Sequence, residues 1–256
     1  MKIFIITVAF CRSAQLARCL LEFKSNQLSV DRHVVVQGHY PIDTERNNYE
    51  TRLIVESSLD VQLLDPGKDL GSAQSQQWAL EQLSPKDDDV WVNLDPDSAC
   101  RKPAWLDAMY DVLAHDPDCM VISCMSPMVE KFIAEREQVL VEKLVNGVRI
   151  GIPQQPTPFN LSMFRCSFVK EMGGLRQLFP SWGELEAVIY HEATQRGKYH
   201  AYLLDYRENE DGKYFHPKSN AEWKDRHART VGPDQFLGSY AEYLAYYHPD
   251  IAKMNL

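Results

Sequence analysis

The feature that most constrains the fold is an unbroken apolar run near the amino terminus. Residues 3–10 read Ile-Phe-Ile-Ile-Thr-Val-Ala-Phe, with no charged side chain and several β-branched residues. Such a run is typical of a strand covered on both faces, because a strand with one wet face alternates apolar and polar residues. Leu16, Leu20 and Phe23 follow at helical spacing. The chain is therefore predicted to open with a buried strand and then a helix over residues 13–23.

The alternation of strand and helix continues along the chain. Further strands are predicted at residues 33–36, 60–64 and 90–94, with a helix at 71–83 after the turn signal Pro66-Gly67. This order indicates an α/β fold with a mostly parallel central sheet flanked by helices. In such sheets ligands bind in the crevice at the carboxyl ends of the strands. Residues directly after position 94 are therefore placed to do chemistry.

The second half of the chain is predicted to add elements of both kinds. The predicted helices are 105–115, a charged amphipathic helix over 129–145, and 184–196. The predicted strands are 120–124, 159–165 and 199–204. An aromatic-rich tail with helical spacing, 236–247, is expected to pack against its own domain.

Composition narrows the class of protein. A chain of 256 residues with 45% apolar and 25% charged residues can bury the core of one α/β domain. Its net charge of -9 provides no cationic field, so nucleic acid is a disfavoured partner. The six cysteines include no C-x-x-C pair, which favours a reducing, cytoplasmic location. The amino-terminal run is too short for a transmembrane segment, and none is expected.

Two acidic residues follow the predicted strand 90–94. Asp95 and Asp97 flank Pro96, so both carboxylates are expected at the carboxyl edge of the sheet. Hard oxygen ligands presented in this way suit Mg²⁺ or Mn²⁺. Taken alone, the tripeptide is also an ordinary turn sequence. Its position after a buried strand favours the metal interpretation.

Several other segments, before and after Asp95, also contain residues of interest. They are Thr-Val-Ala-Phe-Cys-Arg at 7–12, Asp-Leu-Gly-Ser-Ala at 69–73, Asn-Leu-Ser-Met-Phe-Arg at 160–165, Gly-Gly at 173–174 and Trp-Gly-Glu-Leu-Glu at 182–186. In order and spacing they resemble glycosyltransferases of the GT-A fold, particularly family-2-like nucleotide-diphospho-sugar transferases. The resemblance extends over most of residues 1–210.

The resemblance implies a donor site and a metal site. Residues implied to border the donor nucleotide are Thr7, Ala9, Phe10, Arg12, Gln37, Asp69 and Gly71. Asp97 is implied as a direct ligand of Mn²⁺ or Mg²⁺, Asp95 as a residue reaching metal-bound water or ribose, and His216 as a further ligand. The family often has Asp where Gln37 stands, which leaves the base open although UDP is favoured.

The resemblance also implies a catalytic base. The family's Gly-Glu-Asp helix ends in this base, and counting back from Gly197 favours Glu186, while Glu184 remains a rival. The carboxylate would take the proton of the acceptor hydroxyl as that oxygen attacks the anomeric carbon, giving inversion. Both residues are equally explained as helix amino-terminal acids stabilised by the macrodipole.

Other enzyme classes on related folds lack their signatures here. A nucleotidylyltransferase needs a glycine-rich loop after the first strand, and a dinucleotide-dependent oxidoreductase needs G-x-G-x-x-G there. The sequence has no glycine before Gly38, which counts against both. A catalytically silent nucleotide-sugar binder or scaffold on the same fold stays open as the alternative.

The sequence therefore predicts a metal-dependent, inverting glycosyltransferase acting on an acceptor hydroxyl of unknown type. Residues 1–210 are expected to form the GT-A-like domain, with a nucleotide-binding half over about 1–100 and an acceptor half over about 101–210. Residues 211–256 are expected to form a C-terminal lid or helical extension, in which 218–238 could fold over the diphosphate.

Overall fold

A computed structural model describes residues 1–9, 13–23, 30–39, 44–96, 98–100, 102–158, 161–175 and 184–208, with Ala14 and Glu184 described by their backbone only. The strands are β1 (Ile3–Ala9), β2 (Arg32–Gln37), β3 (Val61–Leu64), β4 (Val90–Asn93), β5 (Cys119–Met125), β6 (Leu140–Val145), β7 (Val148–Pro153), β8 (Ser162–Arg165) and β9 (Tyr199–Arg207). The helices are α1 (Ser13–Phe23), α2 (Thr44–Glu56), α3 (Ser72–Leu83), α4 (Trp105–His115), α5 (Pro127–Glu135), α6 (Cys166–Glu171) and α7 (Glu184–Gln195).

The strands form one nine-stranded sheet in the order β3-β2-β1-β4-β8-β5-β9-β7-β6. Strands β1 to β4 are parallel to one another, as the alternating pattern predicted. Strand β8 runs antiparallel to both β4 and β5, and β7 runs antiparallel to both β9 and β6. Seven of the nine strands therefore run in one direction, and the second half of the chain inserts two reversed strands, β8 and β7.

Helices cover both faces of the sheet. Helices α1, α2 and α4 pack on one face, and α3, α5, α6 and α7 pack on the other. The face under α3 includes Trp91 and Phe164, which are paired across β4 and β8 and stack with ring centroids 4.4 Å apart. Because both faces are covered, the inner strands are mostly apolar, and all four residues of β4 are buried.

The charged helix predicted over residues 129–145 is wrong in its second half. Helix α5 ends at Glu135, and the chain turns at Glu137, which has φ of 50°. Strands β6 and β7 then form a hairpin through Asn146 and Gly147, with φ of 46° and 83°. Asn-Gly with two positive φ angles is the sequence signature of a two-residue hairpin turn. This local turn chemistry overrides the helical spacing of the charges.

Helix α2 has no counterpart in the sequence prediction. Only Thr51 and Val55 are buried among its thirteen residues. The regular spacing of apolar residues that predicts an amphipathic helix is therefore nearly absent. Within the described ranges, no helix combines the length and the apolar character needed to cross a membrane.

Candidate active site

The carboxyl ends of seven strands lie at one edge of the sheet; one of them is β6, which shares the direction of β9 because both are antiparallel to β7. Strands β1 to β4 run in one direction, and β5 shares it because β4 and β5 are both antiparallel to β8. Strand β9 is parallel to β5 and so ends at the same edge. The residues at or just beyond this edge include Ala9, Gln37, Asn93 and Glu208. We refer to it as the carboxyl edge.

Asp95 lies at the carboxyl edge, two residues beyond β4. Its side chain is partly buried, and its Oδ1 accepts a hydrogen bond from Asn93 Nδ2 at 3.3 Å. Its backbone carbonyl accepts from the backbone N–H of Ser98 at 2.9 Å, which closes a turn with Pro96 in the second position. The same carbonyl oxygen is 3.5 Å from Cys19 Sγ, on α1. Asp95 therefore forms the turn through its backbone carbonyl, and its carboxylate is held by Asn93. Both interpretations of the tripeptide apply to the same residue.

Asp69 and Gly71 shape the start of α3. Gly71 has φ of 72° and ψ of 174°, a conformation that glycine adopts without strain. Asp69 Oδ1 accepts from the Gly71 N–H at 2.8 Å. Because α3 connects the parallel strands β3 and β4, its first turn lies at the carboxyl edge. The positive end of its dipole and its first N–H groups are thus offered to an anion at that edge.

Gln37 and Ala9 are paired residues at the ends of β2 and β1. Both are buried, at 3% exposure each. Gln37 therefore presents an amide that is almost enclosed, at the edge where the resemblance places the nucleotide base. Next to it, His39 Nε2 is 2.5 Å from Asp65 Oδ1, and His39 Nδ1 is 3.1 Å from Asn48 Nδ2. A polar network therefore flanks Gln37.

Thr7 lies inside the protein. It has no exposed surface, and its Oγ1 is 3.3 Å from His33 Nε2. Burial lowers the pKa of His33 to about 4, so the ring is neutral at pH 7. The Thr7 side chain therefore contacts His33 in the core beneath the carboxyl edge. The sequence analysis had expected it to border the nucleotide.

Helix α7 begins at Glu184, and its first turn also lies at the carboxyl edge because α7 precedes β9. Glu186 is partly buried. Burial, followed by the negative charges of Glu186 and Glu208, raises the pKa of Tyr202 well above its usual range. These two carboxylates therefore lie near the Tyr202 phenol, whose hydroxyl donates to the Pro158 carbonyl at 2.6 Å.

Glu208 is a buried acid that the sequence prediction missed. It follows β9 directly and has no exposed surface. Its Oε2 accepts from the Leu161 N–H at 3.1 Å, and its own N–H donates to the Met125 carbonyl at 2.8 Å. It also forms an isolated bridge with Cys100, in the segment after Asp95. Its sequence signal is weaker than that of Asp95, because the exposed residues Asp205 and Arg207 separate it from the buried part of β9.

Four of the predicted site residues lie outside the described residues. They are Phe10, Arg12, Asp97 and His216. Among the described residues, no group of three or more His, Cys, Asp or Glu side chains is arranged to hold a metal ion. The Asp95 carboxylate does fit the hard ligand chemistry of Mg²⁺ or Mn²⁺, which bind proteins through one or two carboxylates and fill their other positions with water and phosphate oxygens.

Comparison with known proteins identifies the fold. No family model matches the sequence, and no curated protein matches it. The mannosyltransferase PcManGT from Pyrobaculum calidifontis, in complex with GDP-Man and Mn²⁺, superposes on 79% of the chain with a TM-score of 0.53 and 16% identity. S. aureus TarS 1-349, in complex with UDP-GlcNAc, covers 81% of the chain with a TM-score of 0.52 and 16% identity.

A third structure covers nearly the whole chain. GalNAc-T7 with UDP, GalNAc and Mn²⁺ matches 99% of it, with a TM-score of 0.56 and 9% identity. The chain spans 54%, 58% and 57% of the lengths of these three structures, in the order given. The resemblance predicted from the sequence motifs is therefore confirmed at the level of fold: the chain has the GT-A-type fold of nucleotide-sugar transferases.

Proposed function

We propose that this protein is a metal-dependent glycosyltransferase that moves a sugar from a nucleotide-diphosphate-sugar, preferably a UDP-sugar, to an acceptor hydroxyl with inversion. The observation that carries the proposal is the position of Asp95. Its carboxylate is fixed by Asn93 at the carboxyl edge, where the first turns of α3 and α7 also lie. A helix end suited to an anion, an acid suited to a metal ion and a candidate base thus lie at the same edge of a GT-A-type sheet.

The donor is proposed to bind on the side of β1, β2 and α3. The first turn of α3, shaped by Asp69 and Gly71, favours the diphosphate. Gln37 is proposed to contact the base. An amide offers an NH₂ group as donor and a carbonyl oxygen as acceptor, and these match the O4 acceptor and the N3–H donor of uracil. Ala9, Phe10 and Arg12 are proposed to complete the nucleotide site. Thr7, which has no exposed surface, is proposed to support this site from the core beneath it.

Asp95 and Asp97 are proposed to hold Mn²⁺ or Mg²⁺, with His216 as a further ligand. When bound, the ion offsets the charge that grows on the departing nucleoside diphosphate. Asp95 supplies a carboxylate oxygen whose orientation Asn93 fixes. Mn²⁺ accompanies two of the three similar structures, which supports a divalent ion in this fold.

Glu186 is proposed as the base, with Glu184 as the rival. The acceptor oxygen forms a bond to the anomeric carbon as the bond from that carbon to the diphosphate oxygen breaks. The diphosphate leaves with the electron pair, and the acceptor proton passes to the Glu186 carboxylate. Attack from the face opposite the leaving group inverts the anomeric centre. The partly buried position of Glu186 in the first turn of α7, near the Tyr202 phenol, supports its choice.

The proposal also covers the division of the chain into domains and the cellular location of the protein. Residues 1–210 are proposed to form the transferase domain, divided near residue 100 into nucleotide and acceptor halves, and 211–256 to form a lid or helical extension. The buried thiols of Cys100, Cys119, Cys124 and Cys166 form no disulfide with one another, and they support a reducing, cytoplasmic location.

The test is a thermal-shift screen of the purified chain against UDP, GDP, CDP and dTDP and their common sugars, each with Mn²⁺ and with EDTA. Stabilisation by one nucleotide only in the presence of Mn²⁺ is expected, because binding to the folded state raises its stability by mass action. Donor hydrolysis or transfer by the same sample then separates the enzyme from a silent nucleotide-sugar binder. Absence of any shift would contradict both.

A further inference from the structure

Two buried amides connect α3 to Asp95. Gln76, in the second turn of α3, is 3% exposed, and Asn93, the last residue of β4, is 8% exposed. Gln76 Nε2 donates to Asn93 Oδ1 at 2.9 Å, and Asn93 Nδ2 donates to Asp95 Oδ1 at 3.3 Å. The three side chains form a directed hydrogen-bond chain from the helix to the carboxylate.

The direction of this chain follows from Asp95. An ionised carboxylate only accepts hydrogen bonds, so Asn93 must face it with the NH₂ group. That orientation points the Asn93 oxygen at Gln76, which must then donate. If Gln76 accepted instead, Asn93 would turn its oxygen towards Asp95, and two acceptors would meet. A donor at position 76 therefore locks the Asn93 amide in the orientation that holds Asp95.

We infer that Gln76 is a positioning residue that, through Asn93, orients the Asp95 carboxylate for the metal-bound donor diphosphate. The inference rests on the proposed function. Some groups do not touch the metal but hydrogen-bond to one of its ligands and orient it. Their removal weakens metal affinity by about 10–100-fold. Gln76 Nε2 also lies 3.5 Å from Ser72 Oγ, in the first turn of α3. The same amide thus contacts the helix end proposed to face the diphosphate and the residue that holds Asp95.

The experiment compares two substitutions at this position. Gln76→Met keeps the length of the side chain and removes its hydrogen bonds. Gln76→Glu replaces the donor by an acceptor, so it draws the Asn93 NH₂ group away from Asp95. If the buried carboxylate of Gln76→Glu prevents folding, Gln76→Met alone can still be compared with the wild-type protein. Thermal melting in EDTA establishes that each variant is folded.

The matched control is Gln77→Glu on the same helix. Gln77 uses its Oε1 to accept from the Leu175 N–H at 2.8 Å, a bond that a carboxylate can also accept. Its other bond, from Nε2 to the exposed Glu81 at 3.0 Å, lies on the surface. This control carries the same change of charge without reversing a hydrogen bond in the chain to Asp95.

The measurement is calorimetric titration of the full chain with the nucleoside diphosphate selected by the screen, in Mn²⁺ and in EDTA. Both Gln76 variants are expected to weaken binding in Mn²⁺ by about 10–100-fold and to leave binding in EDTA unchanged, while Gln77→Glu behaves as wild type. In an Asn93→Leu background, Gln76→Met is expected to cause no further loss, because the pathway to Asp95 is already cut.

Three results would overturn the inference: wild-type affinity of Gln76→Met in Mn²⁺, an equal loss in Mn²⁺ and EDTA, or losses that add fully in the double variant. The last two are what a merely structural role of Gln76 produces. A wild-type chain that binds no nucleotide more tightly in Mn²⁺ than in EDTA rejects the proposed function itself, and the inference with it. The two failures are therefore distinguishable from the wild-type titration alone.

Discussion

The carboxylate of Glu208 accepts a hydrogen bond from the backbone N–H of Leu161, and this bond joins residues 47 positions apart in the chain. Leu161 immediately precedes β8, and Glu208 immediately follows β9. Strand β5 lies between these two strands, so the bond spans its end at the carboxyl edge. The acid thus satisfies a buried N–H group where strand pairing has ended.

Glu208→Ala is expected to lower the free energy of unfolding by about 1–3 kcal/mol, because it leaves the buried Leu161 N–H without its acceptor. Glu208→Gln retains an acceptor oxygen and is expected to cost less than Glu208→Ala. Urea denaturation of the three proteins measures the difference. Equal losses for the two variants would show that the charge, and not the accepted hydrogen bond, is what stabilises the edge.

Asp95→Asn is expected to reduce the Mn²⁺-dependent affinity for the nucleotide by at least about tenfold, with little change in thermal stability in EDTA. The amide can still accept from Asn93 through its oxygen, but it has lost the charge that attracts the ion. Asp118→Asn is the matched control, because it removes the same charge from an exposed residue that directly precedes β5, at the opposite edge of the sheet. Titration in Mn²⁺ and EDTA separates the two. A similar metal-dependent loss in the control would argue against a special role for Asp95.

Asp97→Asn is expected to have the same metal-dependent effect on nucleotide binding, because Asp97 is proposed as a direct ligand. Folding is expected to stay nearly intact, as shown by thermal melting in EDTA. Unchanged donor affinity with Mn²⁺ would contradict the metal role of this residue.

Glu186→Gln is expected to leave donor affinity unchanged and to reduce turnover by about 10²–10⁴-fold, because only the proton acceptor is lost. Steady-state transfer assays and donor titration are both needed, so that a binding defect is recognised. Glu184→Gln, on the same first turn of α7, is the comparison. If Glu184→Gln loses turnover and Glu186→Gln does not, the base is Glu184.

Stability is expected to fall as the pH drops from about 6.5 to 4, partly because of His33. Burial lowers the folded-state pKa of His33 to about 4, below its usual value of about 6.5 in an unfolded chain. The unfolded chain therefore binds more protons in this range, and each pH unit costs up to about 1.4 kcal/mol. His33→Gln is expected to reduce the slope of unfolding free energy against pH. Thr7→Val removes only the partner hydroxyl, so it is expected to keep the slope.

The elements with strong apolar spacing could be predicted closely from the sequence. Predicted helices at 13–23 and 105–115 coincide with α1 and α4, because their buried stripes are dense. Helix α2 was not predicted, since it buries few residues. The hairpin of β6 and β7 was hidden by the helical spacing of its charges. The direction of a reversed strand such as β8 depends on which strands it pairs with, and a local sequence pattern does not predict this pairing.

The candidate site could be predicted in part, because acids directly after buried strands are visible in the sequence. Asp95 was found by that signal. Glu208 does not carry it, because Asp205, Tyr206 and Arg207 separate Glu208 from the apolar part of β9. Gln76 gives no signal, since one glutamine among several on α3 becomes distinctive only when β4 places Asn93 beside it. Polar groups that act through packing partners in this way need the three-dimensional arrangement to be recognised.

Strand β8 pairs with β4 on one side and with β5 on the other, so that Ser162 lies between Asn93 and Ser123. The part of the sheet near the proposed donor and the part near α7 therefore cannot separate without breaking a ladder of main-chain hydrogen bonds. We expect both parts to melt in a single cooperative transition. The amide protons of β8 should then exchange with solvent only when the whole domain opens, and hydrogen exchange would rank them among the slowest in the chain.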